Sequence, residues 1–458
     1  MTAQQSDATT GKKFSQATVT RFLVTSILGA TFFLIPFRVD GNTKVLLGVI
    51  ADWINASAGT HMRTFCAFVF ITSAIITPLY TYGPKFIRQK LPGLAITFRA
   101  GFVVTLIRVA GGIFCAMTLL SVGPEWIIDV NTGGTAYFII AAVIFALIGV
   151  GAMLMPLLTD YGLLELIGTM LSKFFQRVFH LPGRSTIDAL ASWVGSSSIA
   201  VLVTSRQYEG GYYTAREAAV IATNFSVVSV PFVFFSADVA GIPEFGGTLY
   251  AAMVLIGITC ALITPRLPPL SRLPDDYYEV VGKQVHEEVA EGVSTFQWAK
   301  HEALSRAERG DPPMAMLRSG FAMTFDLFFA MMPVAMTIEF AALVLYHHTT
   351  ILHYVAAPLV PVLNVLAIPD ATAAAPGLLI GFLDQFVPAI IAGGISSPVT
   401  SFVLAGLSVT QLIFMAETGV LIHRSKIPLP IRYLAIVFLI RTAIALPILL
   451  AIAHWISD

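Results

Sequence analysis

Residues 185–206 read STIDALASWVGSSSIAVLVTSR, an apolar segment interrupted at Gly195-Ser196-Ser197-Ser198 and closed by Arg206. If it crossed a bilayer, the parity of everything after it would flip. The polar loop from Arg266 to Arg318, with seven Lys or Arg counting both ends, would then lie outside. Basic residues in short loops mark the cytoplasmic side, so a segment that dips in and returns obeys the rule and a crossing does not. Each limb of about ten residues rises roughly 15 Å, half the hydrocarbon core. Residues 185–206 therefore read as a re-entrant hairpin.

The rest of the chain makes a membrane the right solvent for that reading. Of 458 residues, 56% are hydrophobic and 12% charged, and the mean hydropathy is +0.80, which leaves no polar surface for soluble domains. The formal net charge of +0 gives no case for nucleic-acid binding. Cys66, Cys115 and Cys260 lie in apolar segments without paired or metal-ligand spacing, and they read as small buried hydrophobes. The nine histidines form no His-x-x-His group, and neither a Walker loop nor a Gly-x-Ser-x-Gly elbow occurs. No metal, no cofactor and no enzyme chemistry is expected.

Lys12, Lys13 and Arg21 place the N-terminus inside, ahead of a retained first span at Phe22–Phe37. Lys44 to Asn55 reads as an interfacial helix. Spans follow at about Met62–Tyr82, Phe102–Ser121 and Tyr137–Leu158, then an amphipathic surface stretch with Lys173 and Arg177, then the hairpin. Tyr213–Ala240 and Gly247–Pro265 make spans five and six. A solvated connector follows, with Asp275-Asp276 as a helix cap. No Lys or Arg occurs from Ser319 to Ile422, which suits the outer face. That region holds span seven to His347, an apolar surface stretch at Thr350–Ile368, and a second interrupted segment broken at Gly393-Gly394-Ile395-Ser396-Ser397-Pro398. Spans eight and nine complete the chain.

Span, surface helix, broken hairpin, span, span thus occurs twice in opposite senses, the parity of an inverted-topology repeat. The expected fold is an all-α polytopic membrane protein with about nine transmembrane helices and two re-entrant hairpins. Its expected parts are N-terminal scaffold helices (1–133), a first repeat (134–265, hairpin 185–206), a connector (266–317) and a second repeat (318–458, hairpin 376–406). Leu181-Pro182 is echoed by Ile368-Pro369, Asp188 by Asp384, and Ala222-Thr223-Asn224 by Ala416-Glu417-Thr418.

Asp188, Gly195 through Ser198, and Thr223-Asn224 carry a resemblance across nearly the whole chain to YjiH-type bacterial membrane proteins with nucleoside-recognition, or Gate, domains. That family is similar in plan to concentrative nucleoside transporters, in which two hairpins and the spans after them bind substrate at mid-membrane and a cation nearby. The resemblance implies a transporter and not its substrate. The Gln-Thr-Glu hairpin signature of the nucleoside transporters is absent.

A broken transmembrane helix leaves N–H and C=O groups unpaired, which is tolerable only where they line a cavity or meet a ligand. Two breaks meeting at the midplane make a site. Helix starts after each glycine turn favour an electron-rich group, free carbonyls favour Na⁺, and Ser196, Ser197, Ser396 and Ser397 add hydroxyls. Small residues that merely allow close packing are the other reading. Glu417, near the centre of span eight, costs about 2.5–3.5 kcal/mol there unless partnered, so it is a candidate for substrate binding or proton exchange, beside Thr418. Thr223 and Asn224 suit hydrogen bonding to a polar solute. Asp188, and Asp384 with Gln385, either bind ligand or cap the first limbs of the hairpins. Gly195, Ser198, Asn224 and Ser226 are the expected ion ligands. Arg108 and Asp326 fall at similar depths and are expected to pair, joining scaffold to repeat.

The function expected is secondary transport of a small polar solute, a nucleoside or nucleobase first and a small peptide or amino-acid derivative second, coupled to Na⁺ or H⁺ by alternating access. A non-transporting structural or signalling protein and an intramembrane enzyme with paired carboxylates are the rivals. The expected setting is the bacterial inner membrane, with lipids and a second or third copy of the chain as partners.

Overall fold

The structure, a computed structural model, describes residues 14–39, 42–194, 197–283 and 294–457. Gly195 and Ser196, at the centre of the first hairpin, lie outside the described residues.

Apolar run length sets the architecture. Among the described residues six helices are long and apolar enough to cross a membrane: Thr60–Tyr82, Phe102–Leu120, Glu125–Thr159, Pro243–Arg266, Pro313–His347 and Ile431–Ile456. Gln16–Phe33 stands where the first span is expected and starts at Ser15, whose hydroxyl accepts the Thr18 N–H. The expected fifth and eighth spans are each two helices with a non-helical interruption: Ala215–Asn224 with Val230–Val239, and Pro398–Thr410 with Thr418–Arg424. The fold is that of an all-α polytopic membrane protein.

Long helix, surface helix, hairpin, broken helix, long helix occurs twice in chain order. Glu125–Thr159 and Pro313–His347 are both 35 residues long, and each contains a π-helical stretch, Val130–Ile140 and Leu327–Met331. The surface helices, Leu163–Phe179 and the segment from Ile351 to Val365, lead to left-handed residues, His180 (φ 56°) and Ala367 (φ 55°). These stand immediately before Leu181-Pro182 and Ile368-Pro369. The second limb of each hairpin packs on the second half of the other repeat's broken helix: Ser197–Glu209 on Thr418–Arg424, and Val387–Gly393 on Val230–Val239.

Several expectations change. The second hairpin has limbs Ala371–Ile380 and Val387–Gly393, and its turn is at residues 381–386, not at Gly393–Pro398. Asp384 makes the turn by accepting the Phe386 N–H at 2.7 Å, and Pro388 sits in the first turn of the returning limb. Gly393-Gly394 ends that limb instead, and Ser397 caps the next helix by accepting the Thr400 N–H. By position in the order of elements, Thr223-Asn224 then matches Thr410-Gln411, at the end of each first half-helix, and not Glu417-Thr418.

Arg108 and Asp326 do not pair directly. Nη1 of Arg108 donates to the Thr97 carbonyl at 2.9 Å and Nη2 to the Ala330 carbonyl at 2.7 Å, while the Thr97 hydroxyl donates to Asp326. The arginine is spent on these carbonyls and on the Thr77 hydroxyl, and Thr97 stands between the two charges. Lys44 lies in a short antiparallel hairpin, Pro36–Val39 with Asn42–Val45, and the helix expected there is Leu46–Ala58. Lys44 reaches Asp238 at 2.7 Å and Asp52 at 2.9 Å. The connector is not merely solvated: its helix Thr295–Arg309 packs on Leu163–Phe179, burying Trp298 and Leu304. Asp275-Asp276 caps no helix; the Asp276 carbonyl accepts the Ala215 N–H, and Tyr277 pairs with Thr214 in an isolated bridge.

Candidate functional site

A cavity of about 760 Å³ opens where the two hairpins and the two broken helices meet the scaffold. Ser197 from the first hairpin, Gln385 from the turn of the second, Ser229 from the first helix break and Glu417 from the second all line it. Phe33, Leu147 and Met331 are among the apolar walls, and Arg108, Asp326 and Arg424 add charge.

Glu417 is placed by backbone geometry. Helix Pro398–Thr410 stops at Gln411, and the interruption runs alongside the second hairpin: Met415 N–H donates to the Phe382 carbonyl at 2.8 Å and Ala416 N–H to the Leu383 carbonyl at 2.9 Å. Thr418 braces the interruption from within, its hydroxyl donating to the Leu412 carbonyl at 2.7 Å. Glu417, half-buried at the end of this pairing, accepts from the Ser197 hydroxyl at 3.0 Å. That bond joins the start of one hairpin's second limb to the other repeat's break. Gln385 is 7% exposed, and its Oε1 has no hydrogen-bond partner. A buried amide oxygen without a partner costs on the order of 1–3 kcal/mol, so it is an acceptor held ready for a donor.

Beyond the cavity wall, the two first half-helices are gripped by one side chain that composition and periodicity did not single out. Arg441, in the helix Ile431–Ser457, has no exposed surface. Its Nε donates to the Thr410 and Gln411 carbonyls, both at 3.1 Å, and its Nη2 to Thr410 again at 2.7 Å. Its Nη1 donates to the Thr223 carbonyl at 3.3 Å and Asn224 Oδ1 at 2.8 Å. Those carbonyls belong to the negative ends of two helix dipoles, where a cation is favourable. Each repeat adds the same brace: Asn224 Oδ1 accepts from Thr264 at 2.7 Å, and Gln411 Nε2 donates to Thr442 at 2.9 Å.

The expected site residues therefore separate. Ser197, Gln385 and Glu417 come together on the cavity. Asp188 does not line it: it is buried and accepts from Tyr213 at 2.9 Å and Thr204 at 3.4 Å, tying the hairpin's first limb to its second. Asp384 serves the turn, and Thr418 serves the break. Thr223 hydrogen-bonds back to Ala219. Asn224 gives its amide oxygen to Arg441 and Thr264, so a guanidinium stands where an ion was expected. Ser226 is buried off the cavity wall, and Ser198 begins the limb next to Ser197. Ser396 is exposed and Ser397 caps a helix, in a turn where Gly393 abuts the Val239 carbonyl; neither lines the cavity. Among the described residues no group of three His, Cys, Asp or Glu is placed to hold a metal ion.

The family model described as "Gate: Nucleoside recognition" matches residues 141–243, from the long helix through the first hairpin and broken helix. An uncharacterized protein of Alkalihalophilus pseudofirmus is 40% identical over 435 residues, covering 95% of this chain and 94% of that one. No solved structure matches. The chain belongs to the same family as the Alkalihalophilus protein, multi-pass membrane proteins that carry the nucleoside-recognition Gate domain, in keeping with the YjiH-type resemblance.

Proposed function

We propose that this protein is a secondary transporter in which the two hairpins gate a mid-membrane site for a small polar organic solute. The observation that carries the reading is the bond between Ser197 of the first hairpin and Glu417 of the second break, on the wall of a cavity that Gln385 from the turn of the second hairpin also lines. A solute held by Glu417, Ser197 and Gln385 touches both repeats, so its arrival and departure couple to their movement. The apolar walls favour a solute with a flat or apolar body and a few hydrogen-bonding groups, as in a nucleobase or nucleoside; a small peptide is the second choice.

On this reading the two sets of helices are an inverted-topology repeat, residues 134–265 and 318–458, carried by a scaffold of 1–133 and joined on the cytoplasmic side by 266–317. The N-terminus is cytoplasmic and the membrane is the bacterial inner membrane, by the distribution of basic residues. Solute movement is driven by H⁺ or Na⁺, without a resident cofactor and without covalent catalysis. The helix faces left open to lipid suit a dimer or trimer.

Thermal stabilisation of the detergent-solubilised protein across nucleosides, nucleobases, amino acids and dipeptides tests this, because a ligand of the folded state raises its melting point. A selective shift that is lost in Glu417→Gln is expected. No shift with any solute, with Na⁺ present or replaced by K⁺, would favour a structural or signalling role.

A further inference from the structure

Away from the cavity, Glu339 stands in Met332–His347 with no exposed surface, and neither carboxyl oxygen has a hydrogen-bond partner. Tyr137, in the π-helical stretch Val130–Ile140 that packs on the same helix, is also fully enclosed, with the Thr337 side chain within reach of its hydroxyl. The Thr337 hydroxyl is committed to the Pro333 carbonyl at 2.5 Å, and Phe340 stacks on the tyrosine ring at 5.5 Å. The other charged group acting on Glu339 is Asp384, at the turn of the second hairpin, and Cys115 of Phe102–Leu120 acts on Tyr137. No Lys, Arg or His acts on Glu339 among the described residues.

A bare carboxylate in such surroundings is strongly unfavourable, so a positive charge must accompany it whenever the site is closed. A metal cation needs a shell of oxygens. Here Oδ1 of Asp384 is committed to the Phe386 N–H, Tyr137 offers one hydroxyl, and Met336, Phe340 and Leu343, which flank Glu339 along its own helix, are apolar. A proton needs one oxygen.

We propose that Glu339 is a proton-binding site, separate from the solute cavity, that loads and unloads as the second hairpin moves. Helix Met332–His347 packs directly on the limb Val387–Gly393. A shift of that limb carries Asp384 and the cover over Glu339 with it. A closed hairpin traps the proton, and an opened one lets water reach the carboxyl. The role in coupling rests on the transporter reading; the proton site itself does not.

Infrared pH-difference spectra of the protein in liposomes, with no solute present, test the site directly. The expected result is a protonated-carboxyl band at neutral pH that is absent in Glu339→Gln, retained in Glu417→Gln, shifted in Tyr137→Phe and unchanged when K⁺ replaces Na⁺. A folded Glu339→Gln protein with the wild-type spectrum, or a band that appears only on removing Na⁺, overturns the proposal. Tyr137→Phe, which keeps the carboxyl, decides the matter if Glu339→Gln does not fold. With uridine as the probe, wild-type liposomes accumulate it under an inward acid gradient, and Glu339→Gln only equilibrates it. Acid-driven accumulation that persists in Glu339→Gln overturns the coupling role. Absence of uridine uptake by the wild type bears on the transporter reading, while the infrared band still decides the proton site.

Discussion

Arg441 holds the ends of two half-helices with one guanidinium, a task that needs five donors in a planar fork. Removing it leaves the carbonyls of Thr223, Thr410 and Gln411 buried without that partner. Arg441→Met should therefore lose roughly 1.5–3 kcal/mol of stability, the range for hydrogen bonds to a charged group. Arg441→Lys should recover only part of this, because an ammonium cannot span both ends; chemical denaturation in detergent measures both. The signal that could have revealed Arg441 is the one that revealed Glu417, a charge deep in an apolar run. Its meaning depends on Asn224 and Gln411 lying on either side, and they are separated from it by 217 and 30 positions in the chain. Ser197 and Glu417 were each legible as candidates, but the bond between them was not. Nothing in local composition tells Gln385, which lines the cavity, from Asp384 beside it, which turns inward to serve the backbone.

For the elements, lengths and breaks were legible where apolarity or glycine marks them, and displaced where a turn hides inside an apolar run. Gly393-Gly394 drew the second hairpin's tip to the wrong place because glycine is the strongest local break signal. The true turn, Gly381-Phe382-Leu383-Asp384-Gln385-Phe386, is mostly apolar and closes through Asp384. Cysteine labelling separates the two placements, since the native cysteines are buried. Ser396→Cys should react with an impermeant maleimide whether or not solute is bound, and Gln385→Cys should react more slowly and be protected by solute. The long helices of the two repeats also meet closely. A Cβ on Gly320 would stand 2.6 Å from the Met153 carbonyl oxygen and 2.8 Å from its Cα. Backbone cannot step aside there, so Gly320→Ala should cost about 1–3 kcal/mol in the same denaturation assay.

At the surface, burial against the connector helix pushes the Glu165 carboxyl above its ordinary range, opposed by its own backbone contact and by Arg306 at 3.6 Å. The folded state therefore holds that proton more tightly than the unfolded one, and the docked connector weakens as pH rises from below the ordinary carboxyl range through the shifted value. Glu165→Gln should raise the melting temperature at neutral pH and leave it unchanged in acid.

In the whole molecule, the twice-occurring order of elements was visible, but the centre where the two sets meet was not. The doubled order of elements follows from run length and charge, whereas the match between the two broken helices emerges only when Asn224 and Gln411 are seen under the same arginine. The consequence is a division of labour. Arg441 and its threonine braces fix the two half-helices to the long helices that follow them, while the hairpins and the later half-helices enclose the cavity. On the proposed function, motion that exposes Glu417 to one side and then the other belongs to the hairpins. The most direct measurement is exchange of a stabilising solute by liposomes containing wild-type protein or Glu417→Gln. Saturable uptake by the wild type and loss of at least tenfold in Glu417→Gln, about 1.4 kcal/mol of binding, is the predicted result. Uptake no greater than that of empty liposomes for every solute in the panel, from protein that is folded and inserted, would contradict it.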